Sequence, residues 1–111
     1  MKYVFLLSSF LLTSCNPTDL PGNNLITYKC ANDIGLKVEY QNATDQPKAK
    51  MRFQNQDIPM HLVPSGSGAR YASDDMMANY IWHTKGDAGI LTRQQENQQE
   101  ETLARDCFGA P

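Results

Sequence analysis

The chain has 111 residues, with 12 acidic and 10 basic side chains, a formal net charge of −2 and a hydrophobic share of 41%. That length holds one small domain, and an acid-leaning balance lacks the basic patch that nucleic acid requires. Three cysteines and two histidines with no CxxC and no Cys/His cluster give no support to a zinc site; no metal and no cofactor are expected.

The N-terminus reads MKYVFLLSSFLLTSC. Lys2 precedes an apolar run, Val4 to Leu12, that is too short to span a bilayer as a helix but has the length of a secretory h-region. It ends in Leu12-Thr13-Ser14-Cys15, small residues and a Cys that resemble a bacterial lipobox. Residues 1–14 are then a lipoprotein signal peptide, and Cys15 is the lipidated residue that anchors the chain to a membrane. The alternative is an ordinary signal peptide with an incidental Cys. Asn16 in place of Asp after the Cys points to the outer membrane, with the domain facing the periplasm. Removing residues 1–14 removes Lys2, which leaves 9 basic and 12 acidic residues and a net charge of −3. Such a surface suits a basic partner.

Residues 15–25, CNPTDLPGNNL, read as a flexible tether, and residues 26–111 as the folded domain. With Cys15 committed to lipid, Cys30 and Cys107 remain, and an oxidising envelope favours a disulfide between them. The first strand spans Ile26 to Cys30, before a break at Asn32-Asp33-Ile34-Gly35. Leu36, Val38 and Tyr40 alternate with Lys37 and Glu39, the period of a half-buried strand. Asn42-Ala43-Thr44 matches a glycosylation sequon without meaning in this setting. Lys48 to Phe53 and Ile58 to Leu62 alternate again, with Pro59 placing the latter at an edge or a bulge. Arg70–Ser73, Asn79–Thr84, Ala88–Thr92 and Glu101–Cys107 complete the set. Asp74-Asp75, Lys85-Gly86-Asp87 and the polar stretch Gln94 to Glu100 connect them, the last as a solvated hairpin loop or a helical turn. About eight short strands without a helical apolar face make the domain all-β, a sandwich or a small antiparallel barrel.

Few residues can carry chemistry. His61 and His83 sit within strands, where a surface or packing role is the default. Asp74 and Asp75 are sequence neighbours, which does not create the spatial pair that carboxylate catalysis needs. A Ser67–Lys85 nucleophile pair would need a neutral lysine, whereas Asp87 two residues on favours the charged form. The chain therefore reads as a non-enzyme. Tyr80 and Trp82 share a strand face, as core residues or a ligand platform. Two loops remain: Ser65-Gly66-Ser67-Gly68, leading into Arg70 and Tyr71, and the turn at Lys85-Gly86. A hairpin of the strands between them brings both to one end of the sheet.

These residues resemble the family of small bacterial envelope proteins that inhibit c-type lysozyme, in their membrane-bound lipoprotein form. Tyr28-Lys29-Cys30, then Ser67-Gly68-Ala69-Arg70-Tyr71, then an aromatic strand into Lys85-Gly86-Asp87, then Cys107 follow one another in the family's order. The resemblance implies an eight-stranded antiparallel barrel whose motif loop enters the lysozyme cleft. It assigns lysozyme binding to Ser67, Gly68, Arg70, Tyr71, Lys85, Gly86 and Asp87, with Ser67 and Lys85 near the two catalytic carboxyl groups. Ser67 rather than Ser65 fits, because Tyr71 lies four residues after it. His83 departs from the family, which has an aromatic two residues before the Lys. Arg70 either meets the target or braces its loop through Asp74. The rival readings are an envelope interaction lipoprotein and a small-ligand-binding barrel.

Overall fold

In a closed barrel each strand must turn alternate side chains inward, and most of these strands carry large apolar residues at every second position. The computed structural model describes residues 23–41 and 45–110. Its strands are β1 (Asn23–Lys29), β2 (Gly35–Gln41), β3 (Lys48–Phe53), β4 (Gln56–Val63), β5 (Ala69–Ser73), β6 (Tyr80–Lys85), β7 (Ala88–Gln94) and β8 (Glu100–Ala110). Each pairs antiparallel with the next, and β8 returns to β1 to close the barrel. The choice between sandwich and barrel is settled for the barrel. The signal peptide, Cys15 and the sequon at Asn42 lie outside the described residues. Asn23 to Leu25, read as tether, are instead strand, paired with Gln41, Tyr40 and Glu39.

The interior is filled by Tyr28, Leu36, Val38, Tyr40, Met51, Phe53, Ile58, Met60, Tyr71, Trp82 and Leu91. At its centre Trp82 is fully buried and its Nε1 donates to the Tyr40 hydroxyl at 2.9 Å. The Tyr40 and Tyr28 hydroxyls are 2.7 Å apart. Tyr28 meets Trp82 edge-on with ring centroids 4.9 Å apart, and Tyr40 leans on Tyr71 at 5.6 Å. Aromatic pairs so arranged add stability beyond their buried area, and the Trp N–H is satisfied, as a buried donor must be. The Trp82 ring passes directly over Gly89, where a Cβ would collide with its benzo edge.

Closure is the weakest ladder. The β1–β8 seam has three register pairs, Thr27↔Ala110, Tyr28↔Gly109 and Lys29↔Phe108. The next position along that register is Cys30 and Cys107, and a disulfide joins them. β8 reaches the seam only by bulging against β7, with register shifts on either side of Leu91 and a positive φ at Asp106. These irregularities hid the length of the strand from an alternation count.

Pro59 stands neither at a sheet edge nor in a bulge, because β4 is flanked by β3 and β5 and its register with β3 is unbroken. Its carbonyl accepts from the Asp74 amide at 2.8 Å, just beyond the end of β5. A residue's N–H and C=O face the same neighbour in an antiparallel ladder, so the missing donor points where β5 has already stopped. Of the stretch read as a loop, Gln94 and Glu100 pair as strand ends, and residues 95–99 form a hairpin loop closed by Gln95 N–H to the Gln99 carbonyl at 2.8 Å. In the β5–β6 loop, Asp75 Oδ1 accepts from the Met77 amide at 2.9 Å. That turn leaves Met76 and Met77 82% and 88% exposed.

Two stability predictions follow from this core. Joining residues 77 apart in sequence is worth about 4–5 kcal/mol in the chain-entropy picture, so Cys30→Ser with Cys107→Ser should lower the unfolding free energy by several kcal/mol in a denaturant titration. Burial raises the Tyr28, Tyr40 and Tyr71 hydroxyls above their ordinary value of 10.0. The unfolded chain ionises these groups near pH 10 while the folded chain resists. Their contribution is complete below about pH 10 and is lost as pH rises beyond it. Melting temperature should therefore fall above about pH 10, in step with the appearance of tyrosinate absorbance.

Candidate functional site

The inward direction of Trp82 sets its neighbours His83 and Lys85 apart: alternation along β6 turns Ile81, His83 and Lys85 outward. The β5–β6 register pairs Tyr71 with Trp82, Arg70 with His83 and Ala69 with Thr84. Continued by one residue, it sets Gly68 opposite Lys85. The expected hairpin is thus present, and the loop before β5 and the two-residue turn Gly86–Asp87 after β6 leave the barrel at one end.

The loop is held in shape from beneath. His83 Nε2 lies 3.0 Å from the Ser67 carbonyl oxygen, which fixes that nitrogen as the donor. The Ser65 hydroxyl donates to the same carbonyl at 2.6 Å. Gly68 has φ +67° and faces the Thr84 carbonyl so closely that no Cβ could be placed there. A glycine is required by both conformation and space. The Ser67 hydroxyl is left exposed above this support and makes no hydrogen bond among the described residues. Lys85 is likewise exposed and forms no ion pair among them. At this end the structure therefore presents a hydroxyl, an ammonium group and two close backbone segments.

The other expected site residues divide. Asp87 is exposed, and its carbonyl accepts from the Gly109 amide at 2.9 Å, which ties the turn to the closing strand. Tyr71 is buried in the aromatic interior, so its side chain supports β5 from within. Arg70 lies on the outer face, its guanidinium 4.0 Å from Glu100. The brace imagined between Arg70 and Asp74 is absent: Asp74 instead accepts from His61 Nδ1 at 2.7 Å. The sequence favours Ser67 over Ser65 and gives His83 a surface or packing role at the position where it departs from the family's aromatic; in the structure both Ser65 and His83 bond to the Ser67 carbonyl. The outward alternation of His83 beside an inward Trp82 was the available signal for its contact with the loop. Tyr80 and Trp82 are core, with Tyr80 partly buried under the Arg93 guanidinium. Among the described residues no three His, Cys, Asp or Glu side chains converge as metal ligands.

The family model described as membrane-bound lysozyme-inhibitor of c-type lysozyme matches residues 28–100. Among solved structures, the crystal structure of PliC-St, periplasmic lysozyme inhibitor of C-type lysozyme from Salmonella typhimurium, is similar, with a TM-score of 0.68. Identity to it is 25%, over 80% of this chain and 99% of that chain. No curated protein matches the chain significantly.

Replacing Gly68 by Ala should cost about 1–3 kcal/mol through the left-handed backbone and the collision with the Thr84 carbonyl. Faster amide exchange confined to residues 65–69 and 83–85 would verify that the strain is local. Slower or unchanged exchange there would show that the loop does not depend on this glycine.

Proposed function

The chain belongs to the membrane-bound lysozyme-inhibitor of c-type lysozyme family, and from that premise we propose that it binds a c-type lysozyme and blocks its sugar cleft. The register that sets Gly68 opposite Lys85 carries this reading, because it unites the serine loop and the lysine turn at one end of a rigid barrel. A retaining glycosidase works with one protonated and one ionised carboxyl group. Lys85 supplies a cation for the ionised group, and Ser67 supplies a hydroxyl that can donate to or accept from either. Charge-assisted hydrogen bonds in a cleft emptied of water are strong. Gly68, Gly86 and Asp87 bring the backbone to the cleft rim, where the exposed Asp87 carboxylate suits the basic surface of the target, and Arg70 offers a further contact from the outer face. Tyr71 acts from inside by fixing the strand. Inhibition is occlusion, with no bond made or broken.

The same reading makes residues 1–14 a cleaved signal, Cys15 a lipidated outer-membrane anchor facing the periplasm, and residues 15–22 the tether. The domain would then guard peptidoglycan at the surface it is fastened to, against lysozyme that a host secretes. The interior filled by Trp82, Met51 and Met60 leaves recognition to the loops and outer faces.

A soluble chain beginning at residue 16 should inhibit hen-type lysozyme with one-to-one stoichiometry. Lys85→Ala or Ser67→Ala should each weaken inhibition tenfold or more, a loss of about 1.4 kcal/mol or greater, with the melting temperature unchanged. An intact domain that leaves lysozyme active at micromolar concentration would remove the proposal.

A further inference from the structure

The outer faces of the barrel are unequally charged. β1, β2 and β3 carry Lys29, Lys37, Lys48, Lys50 and Arg52, all exposed, against one strand carboxylate, Glu39. Asp33 and Asp45 in the connections reduce that excess without cancelling it. On β5 to β8 the strands are nearly balanced, Arg70, Lys85, Arg93 and Arg105 against Glu100, Glu101 and Asp106, and Asp74, Asp75, Asp87 and Glu96 in the connections make that side acidic. The cations of the first face adjoin across strands, since Lys37 lies opposite Arg52. Like charges directly opposed destabilise a sheet. Arg52 turns to Asp57 on β4 at 2.7 Å, but Lys29, Lys37, Lys48 and Lys50 have no ion pair among the described residues. Leu25, 59% exposed, stands in the same shallow groove as Lys37, Glu39, Lys50, Arg52 and Asp57. Glu39 lies opposite both Leu25 and Lys50 and Asp57 holds Arg52, so the groove has an apolar contact and three cations against two carboxylates, and the ammonium groups of Lys37 and Lys50 are left exposed.

We propose that this β1–β3 flank is a docking surface for an anionic phospholipid bilayer. The proposal rests on the anchoring reading above, and three observations favour a membrane as the occupant. The charge is complementary to acidic headgroups, which attract each lysine near the surface. β1 is the strand that continues into the N-terminal segment, and the eight residues from Cys15 to Gly22 can reach at most about 28 Å. Finally, Asn23 begins β1 at the barrel end from which the β4–β5 loop and the β6–β7 turn also emerge, as the alternation of antiparallel strands dictates. A barrel hanging end-on from its tether would press Ser67 and Lys85 toward the lipid. Lying on its basic flank, it turns that end sideways, open to a protein approaching along the membrane.

The test uses the chain from residue 16, which lacks Cys15, so that any binding belongs to the folded domain and residues 23–110 contain every strand and both half-cystines of the closed barrel. Co-sedimentation is measured with vesicles of phosphatidylcholine alone and with vesicles containing one-third phosphatidylglycerol, while lysozyme inhibition is assayed on the same samples. Partitioning should be at least tenfold greater on the acidic vesicles and should fall as salt is raised. Lys37→Gln with Lys48→Gln and Lys50→Gln should abolish the preference and leave lysozyme inhibition and melting temperature unchanged, whereas Arg93→Gln with Arg105→Gln should keep it. Equal partitioning on both vesicles, an unaffected triple variant, or capture by soluble polyglutamate but not by acidic vesicles would each overturn the proposal. A chain that binds acidic vesicles yet spares lysozyme would refute the inhibitor reading and leave this one standing.

Discussion

The arrangement of this protein depends on closing a sheet whose last ladder is three pairs long. Until β8 meets β1 there is no inside, and the alternation that sends Trp82 inward and Lys85 outward has no meaning. The Cys30–Cys107 bond extends that ladder by one covalent rung. A small domain buries little apolar surface, so a cross-link at the point of closure acts where the sheet is least able to hold itself.

Behind the seam, the interior is organised by one hydrogen-bonded chain, Trp82 to Tyr40 to Tyr28, with the Tyr71 ring tilted against Tyr40. Strands β1, β2, β5 and β6 are fixed to each other through it. The exposed loop and turn sit on β5 and β6, so their relative position is inherited first from buried rings and then refined by contacts of their own. His83 and Ser65 add the last restraint, both bonding to the carbonyl of Ser67. Preorganisation of this kind reduces the ordering cost that a flexible loop would meet on binding.

Much of this could be read in advance where one residue type maps onto one environment. Leu36, Val38 and Tyr40, or Met51 and Phe53, declared a strand and its buried face together, and the count of eight strands came from such runs. The barrel itself, as against a sandwich, came from the resemblance in Tyr28-Lys29-Cys30, Ser67-Gly68 and Lys85-Gly86. Alternation fails where the strand is irregular. β8 bulges twice, and Asn23 to Leu25 are polar or exposed residues held by backbone pairing that composition does not report. Pro59 misled for a related reason, since the rule concerns a missing donor and the sequence does not reveal which side of the strand that donor would have faced. The partners of Arg70 and Asp74 depend on distances across the barrel surface, which no local pattern encodes.

The β5–β6 loop projects from the far end of the barrel, and its two methionines bear on how the protein meets chemical attack. Met51 and Met60 are sealed inside, whereas Met76 and Met77 stand almost wholly in water. Thioethers are readily converted to sulfoxides, which ruin a core but alter little on a surface. An oxidant diffusing up to this molecule therefore meets its expendable sulfurs first, and the modification it leaves adds polarity at a tip that supports nothing else.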